Sequence, residues 1–285
     1  KSRKEVFAFI ESELKAIEND LKAPKANAYG RVDRAAAWAL LSRLYLNAKV
    51  YTGEERYADC MTYAKKVIDE SGYTLAPNYK YLFLADNGAQ NENIFTVNFD
   101  GRNSKTWAGT TFLVHASIGG TMTATDYGVG SGWSGLRTTS ALVDKFDGTG
   151  NPPTAWADAR AMFYTNRQSY SISSIASFTD GYAVTKYKNI TSAGQKGKDP
   201  AGEFVDTDIP LIRLGEVYLN YAEAALRKNT NTSDALTYVN RLRTRAGEAP
   251  LTAARLTVDE VLNERARELY WEGFRRTDLI RYNRF

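Results

Sequence analysis

Apolar residues recur every three to four positions at both ends of the chain, a spacing that predicts amphipathic helices. In residues 1–75 the repeat predicts three helices, the last of which begins at the capping-box sequence Thr52-Gly-Glu-Glu55. Residues 205–285 show the same repeat, and we expect three more helices there, the first starting near Pro210. The pattern therefore predicts a mainly α fold built from the two ends of the chain.

The middle of the chain, residues 76–204, follows a different pattern. Short alternating runs such as Ile94–Phe99 predict strands, and long loops separate them. From Gly101 to Gly135 the chain has 8 of its 21 glycines and only three charged residues. Long loops that carry large aromatic side chains are functional more often than not. We therefore expect this loop-rich insertion to face the ligand.

Two stretches, Trp38–Tyr45 and Leu211–Tyr218, match the first-helix pattern of a tetratricopeptide repeat. The helix that follows each stretch supplies alternating small and bulky residues where paired helices interlock. Such a pair cannot bury its apolar face alone, so we expect the pairs to stack side by side. We interpret these tetratricopeptide-like helices as a scaffold rather than as a peptide-binding groove.

Composition and charge exclude several classes of protein. The formal net charge of +4 is spread over 285 residues, which is too weak to indicate a nucleic-acid partner. The longest apolar run, Ala35–Leu41, is far too short to cross a bilayer. One cysteine, Cys60, and one histidine, His115, exclude a disulfide framework and the common His- and Cys-based metal motifs. We expect neither a metal ion nor a cofactor.

Five segments of the chain show a further similarity: Ile209–Ala224, Glu264–Tyr282, Gly30–Leu75, Gln90–Phe95 and Trp133–Phe146. Together they resemble a known family, the SusD/RagB family. The resemblance extends over nearly the whole chain, so we expect one SusD-like domain over residues 1–285.

The resemblance implies a location, a partner and a function. SusD-like proteins are lipoproteins on the outer surface of Bacteroidota, where they capture oligosaccharides without catalysis; some members capture peptides. They act as a lid on a SusC-like, TonB-dependent outer-membrane transporter. Relative to the family, the sequence lacks the N-terminal portion with the lipid-bearing cysteine and the usual C-terminus. We therefore expect an internal fragment whose only membrane contact is a lipid anchor outside this chain.

The sequence offers little support for catalysis. Gly130–Gly135 satisfies the dinucleotide pattern G-x-G-x-x-G, but no buried strand precedes it and Trp133 stands where a pyrophosphate would approach. A glycosidase needs two carboxylates at a set separation. The glutamates of the C-terminal segment instead alternate with arginines at helical spacings, which is typical of pairs that tie helices together. We predict that the protein is not an enzyme.

A sugar ring has an apolar face and a hydroxyl edge, so a site for it combines aromatic rings with amide or guanidinium groups. The candidate ligand-binding residues of this type are Asn103, Trp107, Tyr127, Trp133 and Arg137. We expect Trp107 and Tyr127 to be exposed, and leave open whether Trp133 is a binding platform or a plug. The predicted function is oligosaccharide capture and delivery to the transporter; a peptide-capturing member of the family and a helical-repeat protein–protein adaptor are the alternatives.

Overall fold

The computed structural model describes residues 1–285. It contains ten α-helices: α1 (Arg3–Ile17), α2 (Arg34–Leu46), α3 (Ala48–Thr52), α4 (Tyr57–Glu70), α5 (Gly109–Ala116), α6 (Ser140–Val143), α7 (Leu214–Lys228), α8 (Thr232–Arg245), α9 (Val258–Leu269) and α10 (Arg275–Arg281). Six short strands are present: β1 (Asn93–Val97), β2 (Gly148–Gly150), β3 (Pro153–Trp156), β4 (Phe163–Tyr164), β5 (Ala183–Val184) and β6 (Ile209–Arg213). The strands pair antiparallel as β1–β6, β2–β3 and β4–β5. Because helices far outweigh these short strands, the predicted mainly α class is confirmed.

The helices of the two chain ends form one packed scaffold. Helix α4 packs between α2 and α7, and α7 also packs against α8 and α9. At the junction of α2, α4 and α7, the Cys60 sulfur lies 3.6 Å from both the Ser42 hydroxyl and the Asn220 carbonyl oxygen. Small side chains at this junction let three helices approach closely. The expected side-by-side stacking of the pairs α2–α4 and α7–α8 is thus confirmed.

One predicted helix start is wrong because a separate short helix precedes it. Thr52 is the last residue of α3, where its hydroxyl donates to the Ala48 carbonyl oxygen at 2.9 Å. Gly53 then turns the chain in the left-handed conformation (φ 83°), which glycine adopts without steric cost. Helix α4 begins only at Tyr57, and no side chain caps it.

A second difference lies at the predicted start near Pro210. Residues Ile209–Arg213 form strand β6, in which Pro210 lies opposite Thr96 of β1. The proline lies in a two-stranded sheet, where both strands are edge strands and a missing amide is tolerated. The helix therefore begins at Leu214, after the strand has placed Arg213 in the interior.

A buried ionic network joins the helical scaffold to the insertion. The Arg213 guanidinium contacts Glu92 at 2.8 Å, Glu268 at 2.6 Å and Glu272 at 2.7 Å. Arg160 of the insertion also reaches Glu268, at 3.1 Å. All five side chains are at most 1 % exposed. As expected, these glutamates tie elements together rather than line an open site.

The insertion has a small hydrophobic core of its own. Fourteen buried residues form it, separate from the 33-residue core of the helical scaffold. Helix α5 lies within the stretch that the sequence pattern predicts as loop. It carries no Asp, Glu, Lys or Arg, so it lacks the alternation of charged and apolar positions that marks helices such as α4 and α9. This unpredicted helix supports the candidate site.

Candidate functional site

Three large aromatic side chains lie exposed on the insertion, and we call them the aromatic patch: Trp107, Phe112 and Trp133. They leave 57 %, 45 % and 39 % of their surface in solvent. The ring centroids of Trp107 and Trp133 are 6.0 Å apart with their planes at 46°, and those of Phe112 and Trp133 are 6.2 Å apart at 54°. The three rings form one continuous, curved apolar surface. Both tryptophans that the sequence predicts as site residues belong to it.

Two further rings support the aromatic patch from the protein side. Phe204 lies 4.7 Å from Trp107, and His115 stacks on Trp133 at 4.6 Å with only 17° between the planes. Phe112 and His115 stand in the predicted loop but were not among the predicted site residues. Phe204 comes from a distant segment whose sequence carries no signal that connects it to Trp107.

Helix α5 fixes the loop that carries Trp133 through backbone hydrogen bonds. The amide of Trp133 donates to the His115 carbonyl oxygen at 2.8 Å, and the amide of Gly135 donates to the Ala116 carbonyl oxygen at 2.8 Å. Directly before Trp133 the backbone passes so close to the end of this helical segment that a Cβ on Gly132 would lie 2.5 Å from the Ile118 carbonyl oxygen. Only glycine permits that approach, which explains one of the glycines in this loop.

The segments that carry Trp107 and Phe204 also carry polar groups. The Lys105 ammonium lies 5.3 Å from the centroid of the Phe204 ring, in cation–π range. Asn103 is exposed, and its side-chain amide donates to the Asp100 carboxylate at 3.2 Å. Burial by itself raises the pKa of Asp199, but hydrogen bonds from the backbone amides of Phe204, Glu203 and Ala201 lower it by a larger amount. The pKa of this carboxyl group is therefore below its usual value. The ionised carboxylate thereby holds the turn that presents Phe204.

Tyr127 does not belong to the exposed surface, contrary to the expectation from the sequence. It is 8 % exposed and belongs to the small core of the insertion. The Lys188 ammonium lies over its ring at 4.8 Å. Burial raises the pKa of the Tyr127 hydroxyl to about 12. Its neighbours Gly128 and Val129 are buried as well, so this part of the glycine-rich loop packs inward.

Arg137 is likewise committed to the fold. Its guanidinium donates to the carbonyl oxygens of Gly135, Ile175, Ser177 and Asp180 at 2.8–3.0 Å. These bonds tie the segment after Trp133 to the loop around residues 175–180. We conclude that Arg137 positions loops and has few donors left for a ligand.

A polar cleft of about 530 Å³ lies next to the segment that carries Asn103. Its lining includes Tyr29, Asn98, Asp100, Ser104, Lys198 and Asp208. The Tyr29 hydroxyl donates to Asp208 at 2.5 Å, and the Phe99 amide donates to the other carboxylate oxygen at 2.7 Å. Burial raises the pKa of Asp208 in spite of these bonds. The cleft offers hydroxyl and carboxylate groups beside the half-exposed ring of Tyr29.

The arrangement as a whole can bind an apolar face but offers no reaction chemistry. None of the patch side chains is a carboxylate, a nucleophile or a general base, and both nitrogens of His115 are engaged with backbone carbonyl oxygens. The structure holds no group of three or more His, Cys, Asp or Glu side chains that is arranged to bind a metal ion. None of its helices combines the length and the apolarity needed to span a bilayer.

Comparison with known sequences places the chain. The SusD family profile matches residues 158–285. The starch-binding protein SusD of Bacteroides thetaiotaomicron is 35 % identical over 99 % of this chain. The chain belongs to the SusD family. It spans 57 % of the length of that relative, and 51 % of a SusD-like protein of Bacteroides ovatus with which it shares 27 % identity over 99 % of this chain.

Solved structures of SusD-like proteins share this fold. Surface glycan-binding protein A from Bacteroides thetaiotaomicron, in complex with laminarihexaose, superposes with a TM-score of 0.74 at 22 % identity, covering 99 % of this chain and 61 % of that one. The corresponding protein from Bacteroides fluxus gives a TM-score of 0.75 at 21 % identity, covering 99 % and 60 %. The tetratricopeptide-like scaffold of the SusD fold is therefore present here.

Proposed function

We propose that this chain is the glycan-capturing part of a cell-surface SusD-family protein and that it binds glucan oligosaccharides without cleaving them. The aromatic patch carries the proposal, because Trp107, Phe112 and Trp133 expose adjoining rings on a well-fixed support. Exposed aromatic rings of this size bury apolar sugar faces favourably. A relative that is 35 % identical is named for binding starch, and a protein of the same fold was solved with laminarihexaose.

The curvature of the aromatic patch favours some glucans over others. Its rings meet at 46° and 54°, so they cannot all lie flat against one extended chain. Malto-oligosaccharides and laminari-oligosaccharides coil, whereas cello-oligosaccharides are flat ribbons. We therefore propose a curved α- or β-linked glucan as the ligand class, with malto-oligosaccharides first because of the starch-binding relative.

Calorimetric titration with maltohexaose, laminarihexaose and cellohexaose tests this proposal. We expect one of the two curved hexasaccharides to bind and cellohexaose to bind at least about tenfold more weakly, a difference of ~1.4 kcal/mol. A peptide library run in parallel tests the alternative of peptide capture. Binding of peptides but of none of the glucans would overturn the proposal.

Absence of turnover is a separate part of the proposal. No carboxylate pair faces the aromatic patch, so nothing there protonates a glycosidic oxygen or activates water. Prolonged incubation of the pure protein with maltohexaose should release no reducing ends above the rate without protein. Release that disappears on substitution of a single Asp or Glu would contradict this expectation.

Delivery to a transporter completes the proposal. Membership in the SusD family supports a lipid-anchored location on the outer membrane, facing outward, and a SusC-like TonB-dependent barrel as partner. The test is affinity purification of the tagged full-length protein from native outer membranes in mild detergent. We expect one large β-barrel protein to co-purify in stoichiometric amount. Recovery of the protein alone, or with soluble helical partners instead, would favour an adaptor role.

A further inference from the structure

His115 occupies an unusual position beneath the aromatic patch. It is the only histidine of the chain, lies near the end of α5 and is 1 % exposed. Its Nδ1 atom lies 2.7 Å from the Ser131 carbonyl oxygen, and its Nε2 atom lies 2.9 Å from the Glu203 carbonyl oxygen. Ser131 is two residues before Trp133, and Glu203 directly precedes Phe204. The imidazole therefore bridges the segment that presents Trp133 and the segment that presents the supporting ring of Phe204.

Both of these partners are hydrogen-bond acceptors only. A neutral imidazole has one N–H group and one bare nitrogen, so one of the two contacts would set a lone pair against a carbonyl oxygen. The doubly protonated imidazolium donates to both oxygens at once. Because the ring is buried, an unmatched contact has no water to replace the lost bond. The geometry therefore fits the imidazolium. In the neutral form, one of the two hydrogen bonds from the ring to the loops would be missing.

Stacking on Trp133 couples the same proton to the ligand surface. The two rings are nearly parallel at 4.6 Å, so the imidazolium lies over the face of the indole. A cation over tryptophan is attracted by the ring quadrupole, and the attraction grows when both groups are shielded from water.

The charged side chains on the segments around His115 all have other partners or point to solvent. Lys105 lies over Phe204, Asp199 accepts the Glu203 and Phe204 amides, and Arg137 is engaged with backbone oxygens. The Glu203 side chain is exposed, and α5 holds no other titratable residue. None of them forms an ion pair with the imidazole. Backbone carbonyl dipoles alone face its two N–H groups.

We propose that His115 is a positioning residue of the aromatic patch: as an imidazolium it ties the Trp133 loop to the Phe204 turn and supports the indole, so that glycan binding weakens when His115 loses its proton. The inference rests on the proposed glycan-binding function for its second half. Its first half, the link between the imidazole proton and the two loops, stands without a ligand.

Nuclear magnetic resonance on the intact chain tests the first half. A single histidine gives a single set of imidazole signals, so no assignment is needed. We expect both ring nitrogens to carry protons under mildly acidic conditions, and the indole N–H signal of Trp133 to move together with the His115 signals as the pH is raised to mildly alkaline values. Trp133→Phe identifies the indole signal. An imidazole that titrates while the Trp133 signal stays fixed would overturn the proposal.

Calorimetry with maltohexaose and laminarihexaose tests the second half over the same pH range. We expect the dissociation constant to rise at least about fivefold as His115 deprotonates. Linkage is reciprocal, so a saturating hexasaccharide must move the His115 midpoint to higher pH by the matching amount. A dissociation constant that is unchanged across the range would contradict the coupling.

Two variants separate His115 from its neighbours. His115→Gln keeps a single donor nitrogen and cannot change charge, so the pH dependence of binding should vanish in this variant. Glu203→Gln is the matched control, because it removes the nearby exposed carboxylate and leaves the backbone tether; it should keep the wild-type profile. If neither hexasaccharide binds at any pH, the proposed function is wrong. The common titration of the His115 and Trp133 signals still tests, without a ligand, whether the His115 proton links the two loops.

Discussion

Trp107 keeps more than half of its side chain in solvent although Phe204 packs against it. Truncation to alanine removes a binding surface and little buried volume. We expect Trp107→Ala to weaken binding of the favoured hexasaccharide tenfold or more, about 1.4 kcal/mol, with nearly unchanged thermal stability. Titration calorimetry and thermal unfolding of the same preparation measure the two effects. Unchanged affinity would remove Trp107 from the binding surface.

Tyr127 should respond in the opposite way. Its ring fills part of the small core of the insertion, and removal of a buried aromatic ring leaves a cavity. We expect Tyr127→Ala to reduce the free energy of unfolding by ~3–5 kcal/mol. The fraction that remains folded should bind the hexasaccharide as wild type does. Chemical denaturation and calorimetry check both outcomes, and a stable Tyr127→Ala variant that fails to bind would return Tyr127 to the site.

At the scale of elements, buried ion pairs hold the last helix to the scaffold. Arg281 of α10 contacts Glu223 of α7 at 2.7 Å. Burial raises the pKa of Glu223, but the guanidiniums of Arg281, Arg265 and Arg227 outweigh it and lower the pKa from 4.5 to about 2. A carboxyl group of this kind stabilises the fold fully above its unfolded pKa and loses that contribution as pH falls toward its folded pKa.

We therefore expect the free energy of unfolding to fall between about pH 4.5 and about pH 2, partly because Glu223 is protonated. Urea unfolding at a series of pH values measures the slope. Glu223→Gln should be less stable than wild type near neutrality and should flatten the slope. Glu54→Gln, in an exposed pair with Lys4, is the control and should change the slope much less, because solvent screens exposed pairs. An equal slope in wild type and Glu223→Gln would contradict the assignment.

Glu272 connects two elements through buried cations. Its carboxylate lies 2.7 Å from Lys186 of the insertion and 2.7 Å from Arg213 of β6. Removal leaves both cations buried with a partner missing, which typically costs ~3–5 kcal/mol. We expect Glu272→Ala to show that loss in denaturant unfolding, whereas Glu55→Ala, which breaks the exposed pair with Lys49, changes little. Equal effects of the two variants would show that the buried network contributes nothing special.

At the scale of the whole molecule, the insertion and the helical scaffold share their supports. The Tyr79 hydroxyl of the insertion donates to the Glu268 carbonyl oxygen at 2.5 Å, and Leu269 and Tyr270 belong to the two different hydrophobic cores. One core cannot be exposed without strain on the other. We expect the chain to unfold as a single cooperative unit.

Trp38→Phe makes this expectation measurable. Trp38 belongs to the scaffold core, and the other four tryptophans lie in or against the insertion. In this variant, tryptophan fluorescence reports the insertion while far-ultraviolet circular dichroism reports mainly the helices. The two thermal midpoints should coincide. A fluorescence transition well below the helical one would show that the insertion melts as a separate domain.

The sequence by itself determined the parts of the molecule that depend on local spacing. Amphipathic repeats determine the scaffold helices, and at the start of α9 the Thr257 side chain accepts a hydrogen bond from the Glu260 amide, as threonine commonly does at a helix N-terminus. The density of glycine and aromatic residues between Gly101 and Gly135 located the exposed tryptophans. These features are local because a helix or a flexible loop is decided by residues within a few positions of one another.

Tertiary structure alone decided which aromatic rings face solvent. Trp107 and Tyr127 stand in the same glycine-rich stretch, yet one is 57 % exposed and the other 8 %. Phe204 and the tether from His115 to Glu203 complete the support of the patch through contacts between residues at least 88 positions apart in the chain. Similarly, Pro210 joins a strand because β1 lies beside it. Burial and pairing of this kind depend on distant partners, and a local pattern carries no information about where the chain will bring them.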